Sequence, residues 1–216
     1  MIISGISLSL IPAMAQFNTV PSASDYYREE SVQAATKDKE TASDNTGSGK
    51  GVSENTGKSG ARGDVQRQMV VERYLSVSYP LPRIKVTSPY GYRKDPFTGK
   101  RKFHGGIDLQ ARGDKVLAMM AGPVVKVGQD KTSGKYVTLQ HGNCMISYCH
   151  LSKILVARGT AVRPRDAVGI TGSTGRSTGE HLHITCRLNG KSVDPAILFE
   201  HVRRVQQECV SALAEL

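Results

Sequence analysis

Tryptophan is absent from the 216 residues, and no aromatic-rich, RNP-like or helix-turn-helix pattern occurs. A net charge of +10 would suit nucleic acid, but with none of those patterns beside it we expect no nucleic-acid partner. Long hydrophobic runs are also missing. The longest, Ile2 to Ile11, stops at Pro12 and falls short of the ~20 residues needed to cross a bilayer, so no stable membrane span is expected. Cysteine is scarce, with four copies and no C-x-x-C pair. That argues against a Cys/His zinc knot around His141, Cys144 and Cys149. No Lys or Arg precedes Arg28, so the start lacks the basic stretch of an ordinary export signal. The apolar run followed by Ala13-Met14-Ala15 nevertheless has the small-x-small cleavage pattern, and residues 1–15 read as a signal peptide. No cysteine follows it to carry a lipid. The expected location is outside the cytoplasm, periplasmic or cell-wall associated.

Residues 1–63 hold six Lys/Arg and seven Asp/Glu, which leaves 23 basic and 12 acidic residues after them. The positive charge thus belongs to the second part of the chain, where it suits an anionic polymer such as a cell wall. Residues 16–63 are built from Ser, Thr, Gly, Lys, Asp and Glu. Such a stretch cannot bury enough apolar surface to offset the ordering of its backbone, and it reads as a linker. Gly57-Lys58-Ser59 imitates the end of a phosphate-binding loop, but Val52 stands where the first glycine would be.

From residue 64 the pattern is that of a folded domain, 64–196. Val65 to Val77 suits a strand or a short helix. Val86 to Arg93 reads as a strand ending in a turn, and Lys94 to Phe103 as a basic loop. Short Val/Ile-rich strands follow at Lys115–Ala118, Pro123–Gly128, Lys135–Gln140, Met145–His150, Ala161–Arg163, Ala167–Thr171 and His181–Leu188. Their spacing, with frequent glycine between them, predicts an all-β domain, a small antiparallel sheet or sandwich. Over 197–216 the period changes. Leu198, Val202, Val205, Cys209, Leu213 and Leu216 line one face of an amphipathic helix that packs onto the domain or onto a protein partner. His201, among charged neighbours on that helix, is expected to be solvated.

The chemistry gathers in three places. In His181-Leu182-His183, alternation along a strand points both imidazoles to one side of the sheet. In His104-Gly105-Gly106-Ile107-Asp108, a histidine and a carboxylate flank two glycines that fill no core but allow the chain to turn. With one histidine of the first pair, they offer two imidazoles and a carboxylate with a fourth position open, the donor set of catalytic zinc. The third place is His150, at the end of Met145–His150. An imidazole outside the metal's own ligands can take a proton from water or steady an oxyanion. By the same alternation, Cys149 and Cys186 should point to the packed face, as small buried thiols that a bridge could join.

These motifs, H-x-x-x-D, then S-Y-x-H-L-S (Ser147 to Ser152), then G-S-T-G-x-S-T-G-x-H-L-H, resemble the lysostaphin-type (LytM-like) zinc endopeptidases of bacterial cell walls. Thr87 to Arg93 and Gly190 to Pro195 add to the likeness, which runs from about Val86 to Pro195. The resemblance implies an all-β core, the duplicated hybrid motif of that family, followed here by a C-terminal helix. It implies Zn2+ held by His104, Asp108 and His183, with His150 and His181 as the pair that activates water and stabilises the transition state. It implies peptidoglycan stem or bridge peptides as substrate. The groove would be walled by Lys94–Phe103, Gln129–Gly134 and Arg158–Asp166. Gly175 to Gly179 also fits the G-x-S-x-G pattern of a serine hydrolase, but that motif needs a helix after the serine, and here a strand is expected.

Overall fold

The computed structural model describes residues 57–216. The expected signal peptide and the linker as far as residue 56 lie outside them. The first described element is helix α1 (Gly57–Leu75), so residues 57–63, read as linker, belong to a helix. Val65 to Leu75 is the helical alternative of the two the sequence allowed.

Strands β1 (Val86–Ser88), β4 (Ile107–Gln110), β6 (Gly122–Asp130), β7 (Gly134–His141), β8 (Cys144–Leu151), β10 (Ala161–Val162) and β12 (His181–Leu188) form one antiparallel sheet. Their order is β1-β4-β12-β8-β7-β6-β10, with β13 (Lys191–Val193) paired to the far end of β12. A hairpin of β2 (Gly91–Lys94) and β3 (Arg101–His104) stands apart, as does a small sheet of β5 (Lys115–Leu117), β11 (Ala167–Ile170) and β9 (Lys153–Ile154). Helix α2 (Ala196–Ala214) closes the described chain. The all-β architecture with a C-terminal helix is as expected. Four strands were not: β3 falls in the basic stretch read as loop, β4 follows directly on Gly105-Gly106, and the short β9 and β13 lie outside every expected strand.

One face of the sheet is the core. Leu109, Leu139, Ile146, Tyr148, Leu182 and Ile184 are each fully buried there. Tyr148 satisfies its hydroxyl by accepting from the Met119 backbone N–H at 3.2 Å. Helix α2 adds Leu198, Val202, Val205 and Cys209 to this core, which accounts for its apolar face. Helix α1 lies against α2, held by Arg73–Glu208 at 2.5 Å and by the Arg67 guanidinium donating to the Leu216 carbonyl at 2.8 Å. His201 is buried, not solvated: its position on α2 turns it toward the packed side, where burial and the neighbouring Arg204 push its pKa down.

Candidate metal centre and groove

The other face of the sheet carries the chemistry. Register places Asp108 of β4 opposite His183 of β12, and His183 opposite Cys149 of β8, so these three side chains form a row across adjacent strands. His181 lies two residues back on the same face of β12. His104, at the end of β3, reaches the row from the hairpin.

The expectation for Cys149 fails here. Its partner is His183, so it faces the groove instead of the core, while Cys186 does lie in the core. Strict alternation would then have turned His150 inward. Instead His150 takes a left-handed backbone (φ 62°), and its N–H donates to the Ser133 carbonyl at 2.8 Å. The register between β7 and β8 also shifts at this end. One irregular residue puts two consecutive side chains on the same side. Left-handed φ in a non-glycine residue is uncommon, and nothing in the local sequence announces it.

All five expected site residues converge on one open cavity of about 790 Å³. The ligand atoms of His104, Asp108 and His183 lie within 4.8 Å of one another. His183 Nδ1 is 2.7 Å from Asp108 Oδ1, His104 Nε2 is 3.1 Å from His183 Nδ1, and His104 Nε2 is 3.3 Å from Asp108 Oδ1. Tetrahedral zinc with bonds of ~2.0–2.1 Å separates neighbouring donors by ~3.3 Å. Two imidazole nitrogens and a carboxylate oxygen at these distances fit that ion. For Asp108, burial works against ionisation, but hydrogen bonds from His104 and His183 and their charges outweigh it and hold the carboxyl below its usual range.

Backbone carbonyls orient three of the four imidazoles. Pro89 accepts from His104 Nδ1, Thr174 from His150 Nδ1 and Gly179 from His181 Nδ1, each at 2.8 Å. An Nδ1–H held this way leaves Nε2 unprotonated and turned away from that carbonyl. His150 and His181 stack at 4.8 Å between ring centroids, and His181 Nε2 is 3.6 Å from Asp108 Oδ1. Burial is the main cause that pushes the His150 pKa down, to about 4, with His181 and His183 adding to it and the Thr174 carbonyl opposing.

Glycine matters at Gly106, where a Cβ would strike the Ile184 carbonyl and come within 2.6 Å of His183 Cε1. Gly105, by contrast, faces open space. The close approach of β4 to the His183 ring therefore rests on the second glycine alone.

Two of the three expected walls line the groove. Hairpin β2–β3 supplies Phe97, Lys102 and Phe103, and the turn between β6 and β7 supplies Asp130, Thr132 and Ser133. Arg158–Asp166 does not line it, because β10 sits at the edge of the sheet. Its place is taken by Arg176, Ser177 and Thr178, in the loop before β12. A strand, not a helix, follows Ser177, so the serine-hydrolase geometry is not present. Two features were not expected. The Arg93 guanidinium stands 3.8 Å from Asp108 Oδ2. Arg176 spans from one wall to the other, paired with the buried Asp95 at 3.0 Å and lying 4.4 Å over the Phe97 ring. Arg93 ends the Thr87–Arg93 stretch that adds to the family likeness, whereas the Asp95–Arg176 pair, 81 residues apart, left no local signal.

Residues 102–195 match the model of Peptidase family M23. This stretch is an M23 domain. A DD-carboxypeptidase/endopeptidase, Mpg, of Neisseria meningitidis is 40% identical over 118 residues, 54% of this chain and 27% of that protein. The peptidoglycan DD-endopeptidase ShyA of Vibrio cholerae is 37% identical over 120 residues, 54% of this chain and 28% of its own. The chain thus spans about a quarter of the length of the curated relatives it matches. Among solved structures, the catalytic domain of lysostaphin from Staphylococcus simulans superposes with a TM-score of 0.50 at 29% identity, covering 54% of this chain and 92% of that one. The M23 domain accordingly has the lysostaphin-type fold, and its His104, Asp108 and His183 are the group that could hold a metal ion.

Proposed function

We propose that this chain is a zinc-dependent endopeptidase that hydrolyses peptide cross-links of bacterial peptidoglycan. His104, Asp108 and His183 hold the metal, and His150 and His181 act on the substrate. The observation that carries the reading is the set of carbonyl-pinned imidazoles: one aims its Nε2 at the Asp108–His183 pair and two offer theirs to the open groove.

Zinc in this site would supply Lewis-acid polarisation of a peptide carbonyl and acidify water. The remaining steps belong to the protein. With Nδ1–H committed to the Thr174 or Gly179 carbonyl, the Nε2 of a neutral His150 or His181 is an acceptor and takes the proton of the attacking water. Having taken it, the same nitrogen becomes an N–H donor, able to steady the oxyanion or return the proton to the leaving amine. The low pKa of His150 keeps it neutral near pH 7, as an acceptor must be. The groove suits an extended, flexible peptide better than a deep side-chain pocket would. The names of the two relatives favour a D,D bond within the cross-link over a glycine bridge. The proposed location is the cell-wall side of the membrane; among the described residues no helix is long and apolar enough to cross one.

The test is digestion of purified peptidoglycan by the full chain with zinc, with a chelator, and with His181→Ala, the fragments being weighed. Chelator-sensitive loss of cross-linked dimers that the variant cannot reproduce is the expected result, and the masses name the bond. Zinc bound in equal amount to protein, with no dimer consumed from any wall type, would overturn the reading.

A further inference from the structure

Four thiols remain after the site is accounted for, and all four are buried. Cys149 faces the groove. Cys144 opens β8 and Cys186 lies on the neighbouring β12, both on the core face, and their sulfurs are 3.4 Å apart. Residues 144 and 186 are diagonal neighbours across the ladder, since Cys186 pairs with Ile146 and Cys144 with Leu188. Among the described residues this is the only pair of thiols in contact. To reach the ~2.05 Å of an S–S bond, the sulfurs need to approach by about 1.4 Å.

From this contact we propose that Cys144 and Cys186 are the site of a disulfide that staples β8 to β12. The reaction is an exchange with a protein or small-molecule disulfide. The Cys144 thiolate attacks one sulfur of that disulfide, forming a mixed disulfide and releasing one partner thiolate. The Cys186 thiolate then attacks the Cys144 sulfur, closing the internal bond and releasing the second. Two protein thiols lose two protons and two electrons, and the partner disulfide leaves as two thiols. The pair is sealed in the folded protein, so closure belongs to folding, while the sulfurs are still open to exchange. The staple lies on the face opposite the histidines and ties together the strands that carry His150, His181 and His183. It does not depend on metal binding or turnover.

The experiment is refolding of the full chain in oxidised and reduced glutathione, alkylation of free thiols, and intact-mass and peptide mapping. Trypsin leaves Cys144 and Cys149 together on residues 136–153 and Cys186 on 177–187. A second cut after Tyr148 separates the first two. Expected are two alkylated thiols per chain and a cross-linked peptide pair joining Cys144 to Cys186. Cys149→Ser and Cys209→Ser should each keep the link, and Cys144→Ser and Cys186→Ser should each abolish it. Four alkylated thiols after oxidative refolding, or a link that involves Cys149 or Cys209, would overturn the proposal. The wild-type map decides the matter even if a serine variant fails to fold.

Discussion

Asp108 is the residue on which the site turns, since His104, His181 and His183 each lie within 3.6 Å of its Oδ1. Asp108→Ala should lose bound zinc along with activity, measured by metal analysis of the purified protein. Unchanged metal content would remove it from the ligand set. His181→Ala should behave differently, keeping the metal and losing roughly 10²- to 10⁴-fold in turnover, the usual contribution of a positioned acid–base group. If zinc left with the ring, the roles of His181 and His183 would be exchanged. Gly106→Ala tests the close approach of β4. The added methyl meets backbone and ring at once, and overpacking of this kind costs about 1–3 kcal/mol. Weaker zinc binding should accompany it, and a variant as stable and as tight for metal as the parent would show that β4 can retreat. The five side chains that meet in the cavity were legible as candidates because each sits in a short motif whose glycines and spacing have no packing purpose. Arg93 was visible but mute. Its proximity to Asp108 comes from the hairpin's position, which no local pattern records.

Elements were legible where burial follows a period. β12 alternates cleanly between groove and core, and its bounds match the expectation to the residue. β8 shows the limit. Alternation holds through Cys149 and is then broken at His150, so extrapolating the period put Cys149 on the wrong face. β3 was hidden by its composition, because Arg101 and Lys102 are exposed and the strand is paired only to β2. That hairpin carries His104 at its open end, opposite Gly91, and what steadies its turn is the Asp95–Arg176 pair. Asp95 also accepts from the Phe97 and Thr98 backbone N–H groups, at 2.9 and 3.0 Å, and so organises the turn itself. Asp95→Ala should loosen the hairpin, and limited tryptic digestion should cut faster after Lys100 and Arg101. Unchanged cleavage kinetics would mean the hairpin is held by its aromatic contacts, Tyr90 and Tyr92 against Phe103.

At the scale of the molecule, one buried histidine far from the groove should set part of the acid sensitivity. His141 closes β7 with its Nδ1–H donating to the Ala121 carbonyl at 2.7 Å, while among the described residues its Nε2 has no hydrogen-bond partner. Burial lowers its pKa from 6.5 to about 4. The unfolded chain therefore binds the proton more readily, and stability present above pH 6.5 declines as pH falls from there to about 4, by up to about 3 kcal/mol. Urea unfolding at a series of pH values should show this slope, and His141→Asn, which keeps a donor near Nδ1, should flatten it. Equal slopes in the two proteins would assign the acid loss to other groups.

The strand order has a further consequence in time. β12 is nearly the last strand to be synthesised, yet it occupies the gap between β4 and β8 and brings two of the five site histidine and carboxylate side chains with it. Contacts so distant along the chain form late and slowly. A nascent chain can therefore carry most of its domain while holding neither the proposed metal tripod nor the paired imidazoles. The five side chains of the candidate site come together only once residue 183 has been delivered into the waiting slot.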